Sequence, residues 1–285
     1  MKILILGAGG MLGHQLWRQL QRDHEVWVTV RRPLSAYERF GLFKADRTIA
    51  SLDVTCADSL MSVVGRVRPE AMINCVGIIK QLKEASNPVI SIMINSLLPH
   101  RLAELAAAVG ARLIHVSTDC VFSGEKGGYV ESDRSDAEDM YGRTKFLGEV
   151  IQSHCVTLRT SIVGRELETK SGLIEWFLSQ KGKTIRGFRR SVYTGFTTPE
   201  LARIIETVLL EYPRMYGLWH VSSERIDKFE LLKKAERAFG WKGEIVPDDT
   251  CVCDRSLDST RFRTTTKYVS PCWDAMLEEL ASLHA

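Results

Sequence analysis

The chain has 285 residues, of which 45% are hydrophobic and 26% charged, and its formal net charge is +3. This length suits one large domain or two modest ones with a buried core. A nearly balanced charge without a basic stripe argues against nucleic acid as a partner. The apolar run at the N-terminus is too short for a membrane span and lacks the layout of a signal peptide. The sequence therefore predicts a cytoplasmic protein without a membrane partner.

The cysteines and histidines, seven of each, are scattered along the chain. Cys251 and Cys253 form a C-x-C pair, but no second pair and no histidines at zinc spacing accompany it. We therefore expect reduced thiols and no metal site.

The N-terminal segment predicts a strand, a glycine turn, a helix and a second strand. Residues 2–6 are an apolar run typical of a parallel strand buried on both faces. The helix follows the turn and reaches about Arg22, and the second strand covers 25–30. Glycines in such a turn let the backbone approach a pyrophosphate held at the helix N-terminus. The spacing is G-x-x-G-x-x-G, and an unliganded glycine turn is the alternative. The expected cofactor contacts here are Gly7, Gly10, Met11, Leu12 and Gly13.

The residues after the second strand bear on the choice of cofactor. A dinucleotide site for NAD places an acidic residue there, for the ribose 2′-hydroxyl. This chain has Arg31 and Arg32 instead, and two guanidiniums suit a 2′-phosphate. We expect NADPH as the cofactor, with NADH as a second candidate. The alternative is that both arginines are simply solvated.

Strands and helices continue to alternate further along the chain. The sequence predicts strands over 50–54, 71–74, 113–116 and 155–158, and helices over 57–67 and 89–109. The carboxyl ends of strands face the cofactor in a doubly wound sheet. Asn95 lies in the second of these helices, where it either holds backbone at the crevice or is a tolerated polar residue. Further cofactor contacts are therefore expected from Asp53, Val54, Cys75, Val76, Gly77 and Asn95.

Alternation of this kind over about 150 residues predicts an α/β fold with a Rossmann-like doubly wound parallel sheet. We assign residues 1–164 to a dinucleotide-binding domain and 165–285 to a smaller α/β substrate-binding region. The two are expected to interleave, with the segment near 190–222 returning to the Rossmann sheet. In this second region the sequence predicts helices over 172–180, 199–210, 227–239 and from about 274, and strands over 183–187 and 217–221.

The most basic part of the chain follows the first predicted helix of the second region. A solvated surface is the usual explanation for such a cluster, and binding of a diphosphate is the functional one. On the second interpretation, Arg189 and Arg190 contact the substrate. The cluster consists of Lys181, Lys183, Arg186, Arg189 and Arg190.

The most informative stretch is 117–149. Thr118 ends an apolar run, and Tyr141 and Lys145 lie four residues apart on one helix face. An ammonium about 4 Å from a phenol oxygen favours the phenolate by roughly 4 kcal/mol at an effective dielectric of about 20. That lowers the phenol pKa by about three, towards the range in which acid/base catalysts work best. The Tyr/Lys spacing alone is common by chance, so the glycine turn and Thr118 have to support it.

These motifs, in this order, resemble the extended short-chain dehydrogenase/reductases, and in particular the dTDP-4-dehydrorhamnose reductase branch. The resemblance spans nearly the whole chain and is most specific at its centre. That branch carries Ser-Thr-Asp-Tyr-Val-Phe, Tyr-Gly-x-(Ser/Thr)-Lys-x-x-Gly-Glu, Arg-Thr-Ser and a looser Arg-x-x-Ser-x-Leu-(Asp/Glu) tail. The matching stretches here are 117–122, 141–149, 159–161 and 255–258.

The resemblance implies roles for these residues. Thr118 would hold the carbonyl oxygen of a 4-keto-6-deoxy sugar on a nucleoside diphosphate. Tyr141 would supply the proton, and Lys145 would lower the pKa of that tyrosine and bind the nicotinamide ribose. A homodimer is a further expectation, and with Gln15 in the first helix no metal is predicted. Contacts with the substrate are expected from Thr118, Asp119, Cys120, Ile162, Arg189, Arg190 and Arg255.

Two departures leave the particular sugar open. Cys120 stands where the branch has tyrosine, and Ile162 where the rhamnose enzymes have tryptophan. A sugar-nucleotide dehydratase fits less well, because dehydratases place a glutamate at position 120, and an epimerase matches the sequence less closely. A non-catalytic, NADP-binding regulatory subunit is the third alternative, although such proteins usually lose part of the triad that this chain keeps.

Overall fold

The computed structural model describes residues 1–81 and 83–283. Its strands are β1 (Lys2–Leu6), β2 (Glu25–Thr29), β3 (Thr48–Ile49), β4 (Ala71–Asn74), β5 (Arg112–Val116), β6 (Cys155–Arg159), β7 (Ile162–Val163), β8 (Thr184–Phe188), β9 (Ser191–Tyr193), β10 (Phe196–Thr197), β11 (Gly217–His220), β12 (Ile226–Asp227), β13 (Glu244–Asp248) and β14 (Cys253–Asp254). Its α-helices are α1 (Met11–Leu20), α2 (Ala57–Val67), α3 (Pro88–Ser91), α4 (Leu98–Val109), α5 (Met140–Leu147), α6 (Leu173–Ser179), α7 (Thr198–Leu210), α8 (Lys228–Phe239), α9 (Thr260–Thr266) and α10 (Trp273–Ser282).

The chain forms two compact units, and both are discontinuous in sequence. The first contains 1–117, 139–158 and 202–218, and the second contains 118–138, 159–201 and the chain from Trp219 onward. The predicted division at residue 164 would put the loop 118–138 in the first unit. In the structure Tyr129 of this loop pairs with Leu257, so the loop groups with the second unit.

The first unit is built on a seven-stranded sheet with the order β11-β6-β5-β4-β1-β2-β3. The pairings of β1 with β2 and β4, of β2 with β3, and of β5 with β4 and β6 are all parallel. The predicted Rossmann-like doubly wound sheet is therefore confirmed. The strand order reverses between β1 and β4, and ligands of such sheets bind outside the carboxyl ends of the strands at this point.

Apolar strands and amphipathic helices explain the core of this unit. Strand β1 is fully buried from Ile3 to Leu6, as expected for a strand covered by helices on both faces. One face of the sheet packs against the apolar sides of α2 and α4. This cluster includes Leu4, Leu6, Leu60, Val64, Met72, Leu98, Leu102 and Leu113.

The third predicted strand is misplaced, because β3 ends at Ile49, before the predicted 50–54. Ser51 has a φ of 56°, in the left-handed region, which ends the extended backbone. Asp53 and Val54 consequently lie in a turn. The Asp53 carboxylate accepts hydrogen bonds from the N–H and Oγ1 of Thr55, at 2.9 and 2.7 Å. These bonds lower the pKa of Asp53 and close an Asx turn.

The predicted helix over 89–109 contains an irregular turn. Residues Ile92–Leu97 are π-helical between α3 and α4. Pro99 explains the change, because it has no N–H for the carbonyl of Asn95 and its ring crowds that carbonyl in a regular helix. Gly148 passes this point so closely that a Cβ there would be 2.0 Å from the Asn95 oxygen. The π turn thus lets the end of α5 approach, and such turns are frequent at functional sites.

The second unit contains three small sheets, with the orders β10-β7, β12-β9-β14 and β13-β8. Helix α8 packs on α10 and on β8. Phe122 stacks on Tyr129 with ring centroids 4.0 Å apart, and both rings are buried. In the described part of the chain, no helix has the length and apolar character that crossing a bilayer requires.

Candidate active site

The glycine turn after β1 is too tight for side chains at two positions. Gly7 has a φ of +85°, and a Cβ there would lie 3.0 Å from Val76 Cγ2. A Cβ on Gly13 would lie 2.3 Å from the Gly7 oxygen, so only glycine lets α1 start this close to the turn. Gly10 donates its N–H to the Gly7 oxygen at 3.1 Å and is exposed ahead of α1, with Met11 and Leu12 opening the helix. The turn has the shape that a pyrophosphate at a helix N-terminus requires.

A pair of glycine-to-alanine variants tests this turn. Gly13→Ala should lower the free energy of unfolding by about 2 kcal/mol or more, because the new methyl group meets backbone that cannot move aside. Gly65→Ala, also within a helix, meets nothing within 4 Å and should raise it by about 0.5–1 kcal/mol. Urea unfolding of both variants measures the difference, and equal stabilities would contradict this account of the turn.

Two residues that sequence reasoning missed support the turn. Thr29, at the end of β2, accepts a hydrogen bond from the Gly7 N–H on its Oγ1 at 3.2 Å and from the Ala8 N–H on its carbonyl at 2.9 Å. Tyr37 is buried beneath the turn, where a Cβ on Gly9 would be 2.8 Å from its hydroxyl. Thr29 had a detectable signal, a hydroxyl where an apolar strand ends, whereas Tyr37 had none.

Arg31 and Arg32 follow β2 and are both exposed. The Arg32 carbonyl accepts a hydrogen bond from the Ser51 N–H at 3.2 Å, which joins the segment after β2 to the segment after β3. The structure thus places both arginines at the carboxyl end of the strand beside β1, where the sequence predicted them. Asp53, in the turn after β3, is also exposed, and its carboxylate accepts a hydrogen bond from the Thr55 hydroxyl.

The segment after β4 is held by two asparagines. The Asn74 carboxamide oxygen accepts from the Val76 N–H at 3.1 Å. Asn95, which is 1% exposed, accepts from the Ile78 N–H at 2.9 Å and donates to the Ile78 carbonyl at 3.1 Å. Asn95 thus holds backbone. The nearest atom to a Cβ on Gly77 would be the Asn95 oxygen, at 3.5 Å. Cys75, Val76 and Gly77 are therefore fixed beside the glycine turn.

Lys145 is buried to 5% exposure in α5, and its Nζ donates to the Val116 carbonyl at 2.8 Å. Burial lowers its pKa from 10.5 to about 8, while the nearby Glu149 and Cys75 act in the opposite direction. Burial likewise raises the pKa of the Cys75 thiol to about 12. A second bond, from Ser117 Oγ to Glu149 at 2.7 Å, ties the chain after α5 to the end of β5. The lysine cation is thus held at the carboxyl end of a central strand.

Tyr141 lies in the first turn of α5 and is half-buried. Asp139 caps this helix by accepting from the Gly142 N–H at 2.9 Å. Lys80 bonds to Asp139 at 2.6 Å, and its Nζ lies 5.8 Å from the centre of the Tyr141 ring. The tyrosine thus has the capped helix start and a second cation beside it.

The second unit begins at Thr118, the residue directly after Ser117. Its Oγ1 accepts from the Cys120 N–H at 3.1 Å and donates to the Asp119 carboxylate at 3.2 Å. Burial raises the pKa of Asp119, and the charge of Arg255 opposes this shift. Arg255 donates to the Phe122 carbonyl at 2.7 Å and points an N–H at the Cys120 sulfur, 3.8 Å away. Four predicted substrate residues, Thr118, Asp119, Cys120 and Arg255, are therefore neighbours.

The other three predicted substrate residues lie apart in this unit. Ile162 is half-buried in β7, beside Phe196 of β10. Arg189 and Arg190 are exposed in the turn between β8 and β9. Arg189 pairs with Asp249, and this bond raises the pKa of the guanidinium. Carboxylates already offset part of the basic cluster, which weakens the case for a diphosphate there. The described residues contain no group of three or more His, Cys, Asp or Glu side chains placed to hold a metal.

The sheet order, the glycine turn after β1 and the buried lysine at the end of β5 define a Rossmann-like, doubly wound α/β protein. The chain belongs to the family of the RmlD substrate binding domain, whose model matches residues 1–251.

The chain is similar to named proteins of this family. It is 32% identical over 153 residues to a dTDP-4-dehydrorhamnose reductase of Mycobacterium tuberculosis, a match that covers 52% of this chain and 44% of the relative. It is 27% identical over 173 residues to methionine adenosyltransferase 2 subunit beta of Rattus norvegicus, covering 59% and 48%. The chain thus matches about half the length of these curated relatives.

Solved structures match over nearly the whole chain. A hypothetical dTDP-4-dehydrorhamnose reductase from Sulfolobus tokodaii superposes with a TM-score of 0.80 at 29% identity, covering 97% of this chain and 99% of that one. The reductase of Bacillus anthracis in complex with NADP has a TM-score of 0.80 at 22% identity, covering 98% of both chains. The second match supports the fold alone.

Proposed function

We propose that the protein reduces the 4-keto group of a nucleoside-diphosphate 4-keto-6-deoxy sugar with NADPH. The observation that carries this proposal is Lys145, buried at 5% exposure, bonded to the carbonyl at the end of β5 and one helical turn from Tyr141. A buried cation is costly unless the site uses its charge. The likeness to dTDP-4-dehydrorhamnose reductases supports the same reaction.

The chain fits a dinucleotide at the ends of β1 and β4. Gly7 and Gly13 let the turn and the start of α1 pack closely, and the exposed Gly10 precedes the first helical N–H groups. Arg31 and Arg32 are exposed at the end of β2, where a 2′-phosphate would lie. When bound there, the reduced nicotinamide would supply the hydride.

The chain's own residues supply the proton. The Tyr141 hydroxyl gives its proton to the ketone oxygen as C4 receives the hydride, which leaves an alcohol and a phenolate. The Lys145 ammonium favours this phenolate. Thr118 would bind the ketone oxygen. The two residues before it are fixed to the α5 segment, because the Val116 carbonyl accepts from Lys145 and the Ser117 hydroxyl donates to Glu149.

A panel of 4-keto-6-deoxy sugars on different nucleoside diphosphates tests the proposal. NADPH absorbance should fall with at least one of them, and NMR of the product gives the base, the sugar and the configuration at C4. Dinucleotide binding without turnover of any sugar nucleotide would contradict the reductase proposal.

The cofactor preference rests on Arg31. Arg31→Ala should weaken NADPH binding by about 1–2 kcal/mol, because a charge-assisted contact with the 2′-phosphate is lost, and should leave NADH binding nearly unchanged. Arg22→Ala, another exposed arginine of the same unit, is the control. Calorimetric titration with both cofactors measures the effect, and equal losses for the two would argue against a phosphate contact.

A regulatory, non-catalytic role is the second candidate, because the chain also resembles methionine adenosyltransferase 2 subunit beta. Co-purification with a second polypeptide, together with absent turnover, would favour it. An epimerase or dehydratase would give a product without net NADPH consumption. The cytoplasmic location and the homodimer stay predictions, and light scattering of the purified protein measures the second.

A further inference from the structure

His115 is a buried histidine that the proposed reaction does not use. It lies in β5 with 0% exposure, one residue before Val116, whose carbonyl holds Lys145. The parallel register of β4 and β5 places Asn74 directly beside it. The Asn74 carboxamide nitrogen and the His115 Nδ1 are 3.1 Å apart. Asn74 in turn accepts from the Val76 N–H, so His115 is linked through Asn74 to the segment after β4.

Hydrogen-bond roles fix the tautomer of His115. The Val76 N–H can only donate, so the atom of Asn74 that faces it is the oxygen. The NH2 group of Asn74 therefore faces His115, and the Nδ1 of the imidazole must accept. Burial lowers the pKa of His115 well below its usual range, and the charge of Lys145 adds to this effect. The ring is consequently neutral, and its proton is on Nε2.

The Nε2–H of this ring is a buried donor that has no hydrogen-bond partner among the described residues. Buried donors of this kind are rare, and an ordered water is their usual partner when the protein offers none. The Lys145 ammonium cannot accept this proton, because it carries three N–H donors and no lone pair; one of these donors bonds to the Val116 carbonyl. A water oxygen, with two lone pairs, can accept from both donors.

We propose that an internal water bound by His115 Nε2–H also accepts a hydrogen bond from Lys145 Nζ, which makes His115 a positioning residue for the lysine cation. The water site depends only on the donors described above, whereas the effect on catalysis rests on the proposed reductase function. The other ionisable groups close to this pair are Cys75 after β4, His100 on α4 and Glu149 after α5. His100 lies near the Leu147 carbonyl, 2.8 Å from its Nε2.

Two substitutions distinguish the acceptor role of the His115 Nδ1 from the donor role of its Nε2. In His115→Asn the new carboxamide oxygen can still accept from Asn74, but the donor at the Nε2 position is lost. In His115→Gln a carboxamide N–H occupies roughly that position. We expect the Lys145 ammonium to titrate about one pH unit lower in His115→Asn than in the wild type, because an acceptor for its charge is removed. In His115→Gln the midpoint should stay close to the wild-type value.

The measurement is the ¹³Cε chemical shift of Lys145 against pH in lysine-labelled protein, with His154→Gln as the control. His154 is a half-buried histidine of the same unit, and its Nε2 lies 2.9 Å from the Ala103 carbonyl oxygen. In His154→Gln the Lys145 ammonium should titrate as it does in the wild type. Equal midpoints in His115→Asn and His115→Gln would overturn the proposal. Should both variants fail to fold, long-range ¹H–¹⁵N spectra of the wild type decide, because a proton on Nδ1 would refute it.

A crystal structure that orders internal waters provides the direct check. We expect a water within hydrogen-bond distance of both His115 Nε2 and Lys145 Nζ, and a protein acceptor for Nε2–H in its place would overturn the assignment. In turnover assays, the alkaline limb of the rate profile should move with the Lys145 midpoint. If the wild type reduces no sugar nucleotide, the reductase proposal fails while the titration and the crystal structure still decide the water site.

Discussion

Tyr141→Phe is expected to reduce turnover of the 4-keto sugar by roughly 10²–10⁴-fold, the range by which a positioned general acid contributes. The variant removes the hydroxyl that gives its proton to the ketone oxygen and keeps the ring that lies beside Lys80. Because the ring and the cap of α5 persist, the affinity for NADPH should stay nearly the same. Stopped-flow measurement of hydride transfer and a binding titration separate the two effects.

Tyr216→Phe is a matched control, since this tyrosine of the same unit is 56% exposed and lies outside the candidate site. Its turnover should equal that of the wild type. Unchanged turnover in Tyr141→Phe would sink the proposed mechanism. A loss of NADPH affinity as large as the loss in rate would instead assign Tyr141 to cofactor binding.

The sequence predicts most of the first unit, because its signals are local. A continuous apolar run, a glycine turn and a periodic helix specify β1 and α1 within 20 residues of chain. The error in the third strand has a local cause as well. Ser51 takes a left-handed conformation that its residue type does not demand, so no sequence rule ends the strand at Ile49.

The part of the candidate site that the sequence does not predict depends on contacts between segments that are distant in the chain. Nothing local in the sequence shows that the Lys145 ammonium bonds to a backbone carbonyl 29 residues earlier. His115 left a weaker trace, a polar residue inside the otherwise apolar run 113–116. Its meaning requires the β4–β5 register, which places it beside Asn74. Sequence reasoning can therefore find which residues carry the chemistry, but the residues that hold them in place need the fold.

Lys145→Met is expected to abolish turnover, since it removes the cation that stabilises the phenolate, and also to change how stability depends on pH. In the folded protein burial lowers the pKa of this lysine from 10.5 to about 8. Between these two values the unfolded chain binds more protons than the folded one, so the wild type becomes more stable as the pH rises from about 8 to about 10.5. The gain approaches about 3 kcal/mol, since each pKa unit is worth about 1.4 kcal/mol.

In Lys145→Met this gain is absent. The variant also leaves the Val116 carbonyl without its donor, at a cost of about 1–3 kcal/mol, but that cost does not depend on pH. The difference in unfolding free energy between wild type and variant should therefore grow with pH by up to about 3 kcal/mol, whatever its value at pH 7. Urea unfolding at several pH values measures it, with Lys44→Met as the control for an exposed lysine. A difference that stays constant across this range would mean that burial does not destabilise the Lys145 ammonium. The burial of this lysine would then no longer argue for a role of its charge in the site.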